Sequence, residues 1–363
     1  MHILIQTAGA SIVFIALGDI YLTVLQGGSV SWVSGRLNRE VWRLFRGAAS
    51  ILPMNRSRFL SYAGPTLVAL NLITWVMLLV IGFALIFLPA LGTQIVASKG
   101  DTPTGFWTAI YFSAMSISTL GAGDIVATTA PYRLLEVLGV LIGFSVLTAS
   151  LTYLMSIYSA LIRNNAFALS LHHASTDTGK FIEVVARLGP GGDFSGGQQE
   201  LSTLGMELAT LIESHHIYVA LRYFRLASTA YALPRFAFLT IDSASLIRSA
   251  IDQERYGTIV QSTSAARLWH GGLQLVTGIG GRFLPEELVD KHRPDEHDEQ
   301  EWRGHFRRAA NRFRDEGIVI APDLQIAEDD YVALRREWQA HISALTDYLQ
   351  YEWNEICPDE QKE

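Results

Sequence analysis

The sequence predicts an all-α membrane protein, with three transmembrane helices, a re-entrant helix between the second and third, and a mostly helical cytoplasmic domain. Composition is the first reason. The chain is 49% hydrophobic and only 17% charged, where an ordinary soluble domain carries about 25% charged residues. The second reason is a division of charge: residues 1–163 hold nine basic and five acidic residues, and the rest holds 19 basic and 30 acidic. Such asymmetry marks separate domains. The third is a set of three apolar stretches, each longer than the ~20 residues a spanning helix needs. The acidic second half argues against nucleic acid as a partner, since binding it requires clustered Lys and Arg. The single cysteine, Cys357, excludes an internal disulfide framework and a thiolate-rich metal site.

Ile3–Leu25 is apolar except for Gln6, Asp19 and small polar residues. It has no basic region ahead of it and reads as a retained span rather than a cleaved signal. Leu67–Leu88 and Leu134–Leu161 are the second and third spans, the latter interrupted by Glu136 and hydroxyl side chains. Between them, Thr104 to Met115 (with Phe106, Trp107, Ile110, Tyr111 and Phe112) is too short to span and too apolar for a loop. That profile is a re-entrant helix, tolerated only where its backbone is buried in protein or lines a water-filled cavity. The loop after the first span carries Arg36, Arg39, Arg43, Arg46, Arg56 and Arg58 against Glu40 alone. The positive-inside rule then places this loop and the C-terminal half in the cytoplasm, with the N-terminus and re-entrant loop outside. The expected domains are residues 1–27, an N-terminal span; 28–58, an interfacial segment; 59–163, the re-entrant hairpin and its flanking helices; and 164–363, the cytoplasmic domain.

Arg36, Arg39, Arg43 and Arg46 share one helical face. A voltage sensor also repeats arginines, but along a membrane-spanning helix. This stretch is not apolar enough to span, so a helix lying on anionic headgroups is the expectation.

After the re-entrant helix comes Ser118-Thr119-Leu120-Gly121-Ala122-Gly123-Asp124. An ion crossing a membrane must exchange its water shell for other oxygens, which rings of backbone carbonyls can supply. A loop that points successive carbonyls at one axis needs dihedrals of alternating hand, and glycine reaches φ > 0 without steric penalty. Thr119, Gly121 and Gly123 meet that demand in the right setting, between a re-entrant helix and a spanning one.

Residues 104–153 resemble the pore of the tetrameric potassium channel family, whose filter reads Thr-Val-Gly-Tyr-Gly-Asp. Thr119, Gly121, Gly123 and Asp124 match, and Leu120 replaces valine. The resemblance implies a homotetramer in the lipid bilayer, with carbonyls of Thr119, Leu120, Gly121, Ala122 and Gly123 binding the permeating cation. Gly143 falls where the family has its inner-helix hinge. Ala122 departs from the family's aromatic, which braces the filter against the pore helix. The matching brace partner is Phe112, which has no hydrogen-bonding group. Met115 stands where some members carry a carboxylate that pairs behind the filter, so Asp124 is expected to lack that partner. Phe112, Met115 and Leu120 are the apolar residues expected to fill the gap beside Ala122.

On the third span, Gly139 reads as a packing glycine, and Gly143 as a hinge, since glycine weakens a helix by roughly 0.5–1 kcal/mol relative to alanine. Phe144, Leu147, Leu151 and Met155 form a stripe that is a candidate for lining the inner pore. Asp19 is costly inside a membrane. A structural contact near the arginine loop is expected of it.

The C-terminal half shows helical periodicity over 201–226, 244–251, 259–276 and 331–353. The Gly189–Gly197 stretch reads as a loop, and 286–301 as a charged connection. Gly278-Ile279-Gly280-Gly281 is a poor candidate for a dinucleotide fold and reads as a helix terminus. The doublets His172-His173 and His215-His216 point to different helix faces and make poor chelates, so no metal site is expected beyond the permeating cations. No catalytic constellation stands out, and neither an enzyme nor a cofactor is expected.

Together these residues predict a K⁺-conducting homotetrameric channel, gated at the inner helix and modulated by the cytoplasmic domain through an unnamed ligand or partner. A weakly selective monovalent cation channel, passing Na⁺ as well, is the first alternative. A receptor or scaffold with a non-conducting pore fold is the second, and a transporter subunit the third.

Overall fold

A computed structural model describes residues 1–27, 31–51, 55–176, 180–278 and 283–357. The chain divides into two compact units: Met1–Phe45, Ala63–Tyr158 and Ile217–Ala220 form the first, and Arg46–Tyr62, Ser159–His216 and Leu221–Glu363 the second. The segment expected to be one interfacial piece, 28–58, is thus shared between the units.

Three helical stretches among the described residues are long and apolar enough to cross a membrane: His2–Gln26, Arg56–Ala90 and Ala130–Ala174. They contain the three spans expected from the sequence. The named helices are α1 (His2–Ile20), α2 (Ser34–Ile51), α3 (Arg56–Ser61), α4 (Ala63–Phe87), α5 (Phe106–Ile117) and α6 (Ala130–Ala174). At 45 residues, α6 is about 68 Å long. That is more than twice the ~30 Å hydrocarbon core, so its later turns extend past the bilayer.

In the first unit α1 packs along α4. A β-carbon at Gly9 would sit on the carbonyl oxygen of Gly82, the kind of backbone approach that only small residues permit between membrane helices. Gln6 Nε2 donates to the Tyr132 hydroxyl at 2.8 Å and to the Ile86 carbonyl at 3.3 Å, joining α1 to α4 and to the start of α6.

Asp19 is fully buried and accepts from four donors on three residues. These are the Val33 amide at 2.7 Å, the Ser34 amide at 3.2 Å, the Ser34 hydroxyl at 2.5 Å and the Trp75 indole at 2.9 Å. Its contact is structural, and it goes to the backbone where α2 begins rather than to a guanidinium group. It caps the orphan amides of α2, which every helix start must satisfy somehow. Asn71 Nδ2 donates to Asn38 Oδ1 at 2.9 Å, and Trp42 of α2 is fully buried. The apolar face of α2 therefore lies against protein.

The second unit is helical: α7 (Phe181–Leu188), α8 (Gly197–Ile217), α9 (Leu233–Ser249), α10 (Gln253–Val260), α11 (Thr263–Leu273), α12 (Glu286–Lys291), α13 (Glu296–Asp315), α14 (Leu324–Arg336), α15 (Gln339–Tyr348) and α16 (Trp353–Ile356). The charged 286–301 stretch is not a plain connection. Asp295 accepts from the His297 and Asp298 amides while Asp298 accepts from the Asp295 amide, a capping box that starts α13. Residues 279–281 of the glycine cluster lie outside the described residues. At the centre, every residue of α9 except Arg248 is buried. Its Asp242 accepts from the Tyr331 hydroxyl at 2.8 Å, which accepts from Arg335 at 2.9 Å. The Arg335 guanidinium lies 5.1 to 5.5 Å from the ring centres of Trp302, Trp338 and Phe238, so its desolvated charge is offset by ring faces.

The same unit holds the linker ahead of α4. Arg225 donates to Ser57 O at 3.0 Å and to the carbonyls of Leu349 and Gln350, and stacks on Tyr351 at 4.1 Å. Arg46 lies over the Tyr348 ring, and Arg56 bonds Gln350.

Candidate functional site

The site is built on α5, which wedges between α4 and α6. Ser113 Oγ donates to the Val80 carbonyl at 2.8 Å, and Phe112 meets Phe87 edge-on at 5.0 Å. On the other side α6 comes so close that a β-carbon at Gly143 would collide with the Ile117 carbonyl oxygen and side chain. Close approach requires a glycine here, and α6 runs unbroken through it. Gly139 meets Phe83 at 3.5 Å, an ordinary contact distance.

After α5 ends, the backbone alternates in hand. Thr119, Gly121 and Gly123 have φ of 61°, 55° and 72°, and no positive φ falls at Leu120, Ala122 or Asp124. Nothing lies within 4 Å of a β-carbon built on Gly121 or Gly123. The glycines are there for the left-handed backbone, not for want of room. The C-terminal end of α5 leads directly into this loop and carries the partial negative charge of a helix terminus, which favours a cation. Residues 118–124 are all exposed in the single chain.

Behind the loop Asp124 has a different partner, the Tyr111 hydroxyl, which donates to its Oδ2 at 2.9 Å. The donor sits one residue before Phe112, and a hydroxyl on the exposed side of the re-entrant helix was its signal in the sequence. The outer loop supplies a second support unforeseen from the sequence. Strands β1 (Ile95–Ala97) and β2 (Ile125–Ala127) pair antiparallel, with Val96 opposite Val126. The Ser98 amide donates to the Asp124 carbonyl at 2.7 Å, and the Ser98 hydroxyl bonds the Gly123 carbonyl.

The gap left by Ala122 is a real cavity of about 110 Å³, lined by Phe112, Met115, Ala122, Asp124, Ile125 and Glu136 among others. Phe112 and Met115 border it as expected. Leu120 does not: it is 72% exposed and points away from the gap. Glu136 of α6, which the sequence showed only as an interruption of a span, faces this cavity. Further along α6, Phe144, Leu147, Leu151 and Met155 are all exposed on one stripe.

Of the histidine doublets, His215 is buried with Nε2 3.1 Å from Asn164 Nδ2. Burial, with the Arg222 charge beside it, pushes its imidazole down to about 3. It is neutral at ordinary pH. No group of three or more His, Cys, Asp or Glu side chains able to hold a metal occurs among the described residues.

Residues 72–160, from α4 through most of the spanning part of α6, match the ion channel family, in a chain with three helices long and apolar enough to cross a membrane among the described residues. The chain is also similar to the uncharacterized membrane protein YdjJ of Bacillus subtilis (strain 168). The two are 30% identical over 173 residues, which cover 47% of this chain and 49% of that protein. The chain thus spans about half the length of the curated relative it matches. No solved structure matches it.

Proposed function

We propose that the protein is one subunit of a homotetrameric channel that conducts K⁺ through the carbonyls of residues 119–123. The observation that carries this reading is the alternation of left- and right-handed backbone at Thr119, Gly121 and Gly123, directly after α5. A string of that kind turns successive carbonyls to one side, and one copy leaves its open side exposed. Four copies around an axis would close rings of oxygens, the arrangement that replaces a cation's hydration shell. Asp124, Tyr111 and Ser98 hold the outer end of the loop, while Phe112 and Met115 back it. The stripe from Phe144 to Met155 would face the axis below. Bending of α6 at Gly143 would open the pore and would move Ile117, at the foot of the filter. The arginine-rich α2 and the second unit would be cytoplasmic and the N-terminus external.

The cavity beside Ala122 favours a second reading, a pore that discriminates K⁺ from Na⁺ weakly because its filter is not backed by a ring. Purified full-length protein in liposomes separates these from a non-conducting receptor. Reversal potentials under bi-ionic K⁺/Na⁺ conditions give the permeability ratio, and Gly121→Val should abolish the current while the tetramer persists on a native gel. Undiminished current in Gly121→Val would remove the filter assignment.

A further inference from the structure

We propose that the exposed arginine face of α2 binds the phosphate groups of anionic phospholipids at one edge of the bilayer. The first support is where α2 lies. Ser34 meets Trp75, with Nε1 3.1 Å from Oγ, and Asn38 meets Asn71 at 2.9 Å. Numbers rise along α2 as they fall along α4, so α2 runs antiparallel beside the N-terminal half of that span instead of lying flat. Asn71 is four residues inside the apolar run that begins at Leu67, about 6 Å of helix rise. Arg39, next to Asn38, stands near that level. Arg36 is about one turn deeper, and Arg43 about one turn further out.

The second support is what these side chains lack. Arg36, Arg39 and Arg43 are exposed. Among the described residues Arg36 and Arg39 make no ion pair, and Arg43 has only Glu40 of the same helix, at 2.7 Å with both side chains largely exposed. A guanidinium at the acyl boundary reaches outward for an anion along its apolar stem. Phosphate is the partner its fork of donors fits.

The third support is the flanking surface. Leu44 is 71% exposed and lies at one edge of the arginine face. Free phosphate would leave that apolar edge in water; a phospholipid covers the edge with its chains and the arginines with its headgroup. Basic segments at a membrane surface gain from anionic lipid in this way. Through Ser34–Trp75 and Asn38–Asn71, headgroups bound to α2 would bear on α4. That consequence rests on the channel reading, whereas the binding does not.

The test uses the full chain in phosphatidylcholine–phosphatidylglycerol vesicles. Cys357 is buried, so a Leu44→Cys variant takes an environment-sensitive fluorophore at position 44 selectively. Two vesicle preparations carry equal bromine, in one on the phosphatidylglycerol chains and in the other on the phosphatidylcholine chains. Brominated phosphatidylglycerol should quench at least about twofold more strongly, and adding Arg36→Gln, Arg39→Gln and Arg43→Gln should equalise the two preparations. Equal quenching without the arginine changes, or a preference that survives them, overturns the proposal. Quenching by neither lipid also overturns it, because protein would then cover the face. Fluorescence is read without ion flux, so this inference and the channel reading can fail independently.

Discussion

Ala122→Phe is the substitution that most directly probes the filter's support. The cavity beside Ala122 measures about 110 Å³. A sealed apolar void costs about 24 cal/mol per Å³, which would give roughly 2–3 kcal/mol per subunit. This cavity opens toward solvent at the filter, and about 1 kcal/mol is the fairer figure. One kcal/mol corresponds to about a fivefold change in an equilibrium ratio. A cavity of about 150 Å³ holds a benzene ring, larger than this one, so a phenyl group fits here only if Ile125 shifts outward. Phe112 is already buried edge-on against Phe87, and Phe112→Trp should overpack by about 1–3 kcal/mol. The expected outcome is that Ala122→Phe raises the melting temperature of the tetramer and raises the K⁺/Na⁺ permeability ratio, by at most about fivefold if the whole ~1 kcal/mol acted on the K⁺-bound filter alone. Adding Phe112→Trp should reverse both gains. The assay pairs bi-ionic reversal potentials with thermal unfolding of purified tetramer. If Ala122→Phe assembles normally and the ratio does not move, selectivity does not depend on filling this cavity. The number of carbonyls would then set it.

Three other outcomes follow from the packing. Gly143→Ala places a β-carbon on the Ile117 carbonyl and should destabilise by about 1–3 kcal/mol, whereas Gly139→Ala should melt within about 0.5 kcal/mol of the parent. Equal melting of the two variants would mean that α6 and α5 are not in close approach. Asp19→Ala strands the Val33 and Ser34 amides at the start of α2, a loss of about 2–4 kcal/mol; unchanged thermal stability would show that those donors reach water. The third concerns pH. His215 falls from its ordinary 6.5 to about 3 in the folded chain, and burial with Arg335 and Arg308 nearby lowers His305 as well. The unfolded chain therefore takes up protons first. Stability is full above about pH 6.5 and declines as pH falls toward 3, by about 2 kcal/mol at pH 5 for His215 alone. His215→Asn should flatten that slope in urea titrations of the full chain at pH 7 and pH 5, and an unaltered slope would show that His215 titrates normally.

What the sequence made legible was whatever physics imposes over long or strict patterns. Twenty apolar residues admit one interpretation, and a backbone that must alternate in hand leaves glycine visible at 121 and 123. The features that escaped rest on pairings with no local signature. Strands β1 and β2 are three residues each, too short for an alternating pattern to register. The arginines of α2 concealed its other face, and only the Asn38–Asn71 and Ser34–Trp75 pairs show that it descends along α4. Glu136 looked like a flaw in a span because periodicity says nothing about which cavity a residue faces. Tyr111 was missed by one position, since alignment to a known brace directs attention to Phe112. In the second unit the helices were expected from periodicity, but Asp295 with Asp298 turned a charged connection into a helix start.

The hold of the second unit on residues 46–62 has a consequence for biosynthesis. Ser57 takes its hydrogen bonds from Arg225, which lies 168 residues later, and Arg56 finds Gln350 294 residues later. At about 5–20 residues per second, a ribosome needs roughly 15–60 seconds to travel from Arg56 to Gln350. The α4–α5–α6 hairpin is complete well before then. During synthesis the stretch just ahead of α4 therefore waits, its permanent partners not yet made, while the helices it precedes are already in the bilayer. Residues translated some 168 and 294 positions later are the ones that fasten it.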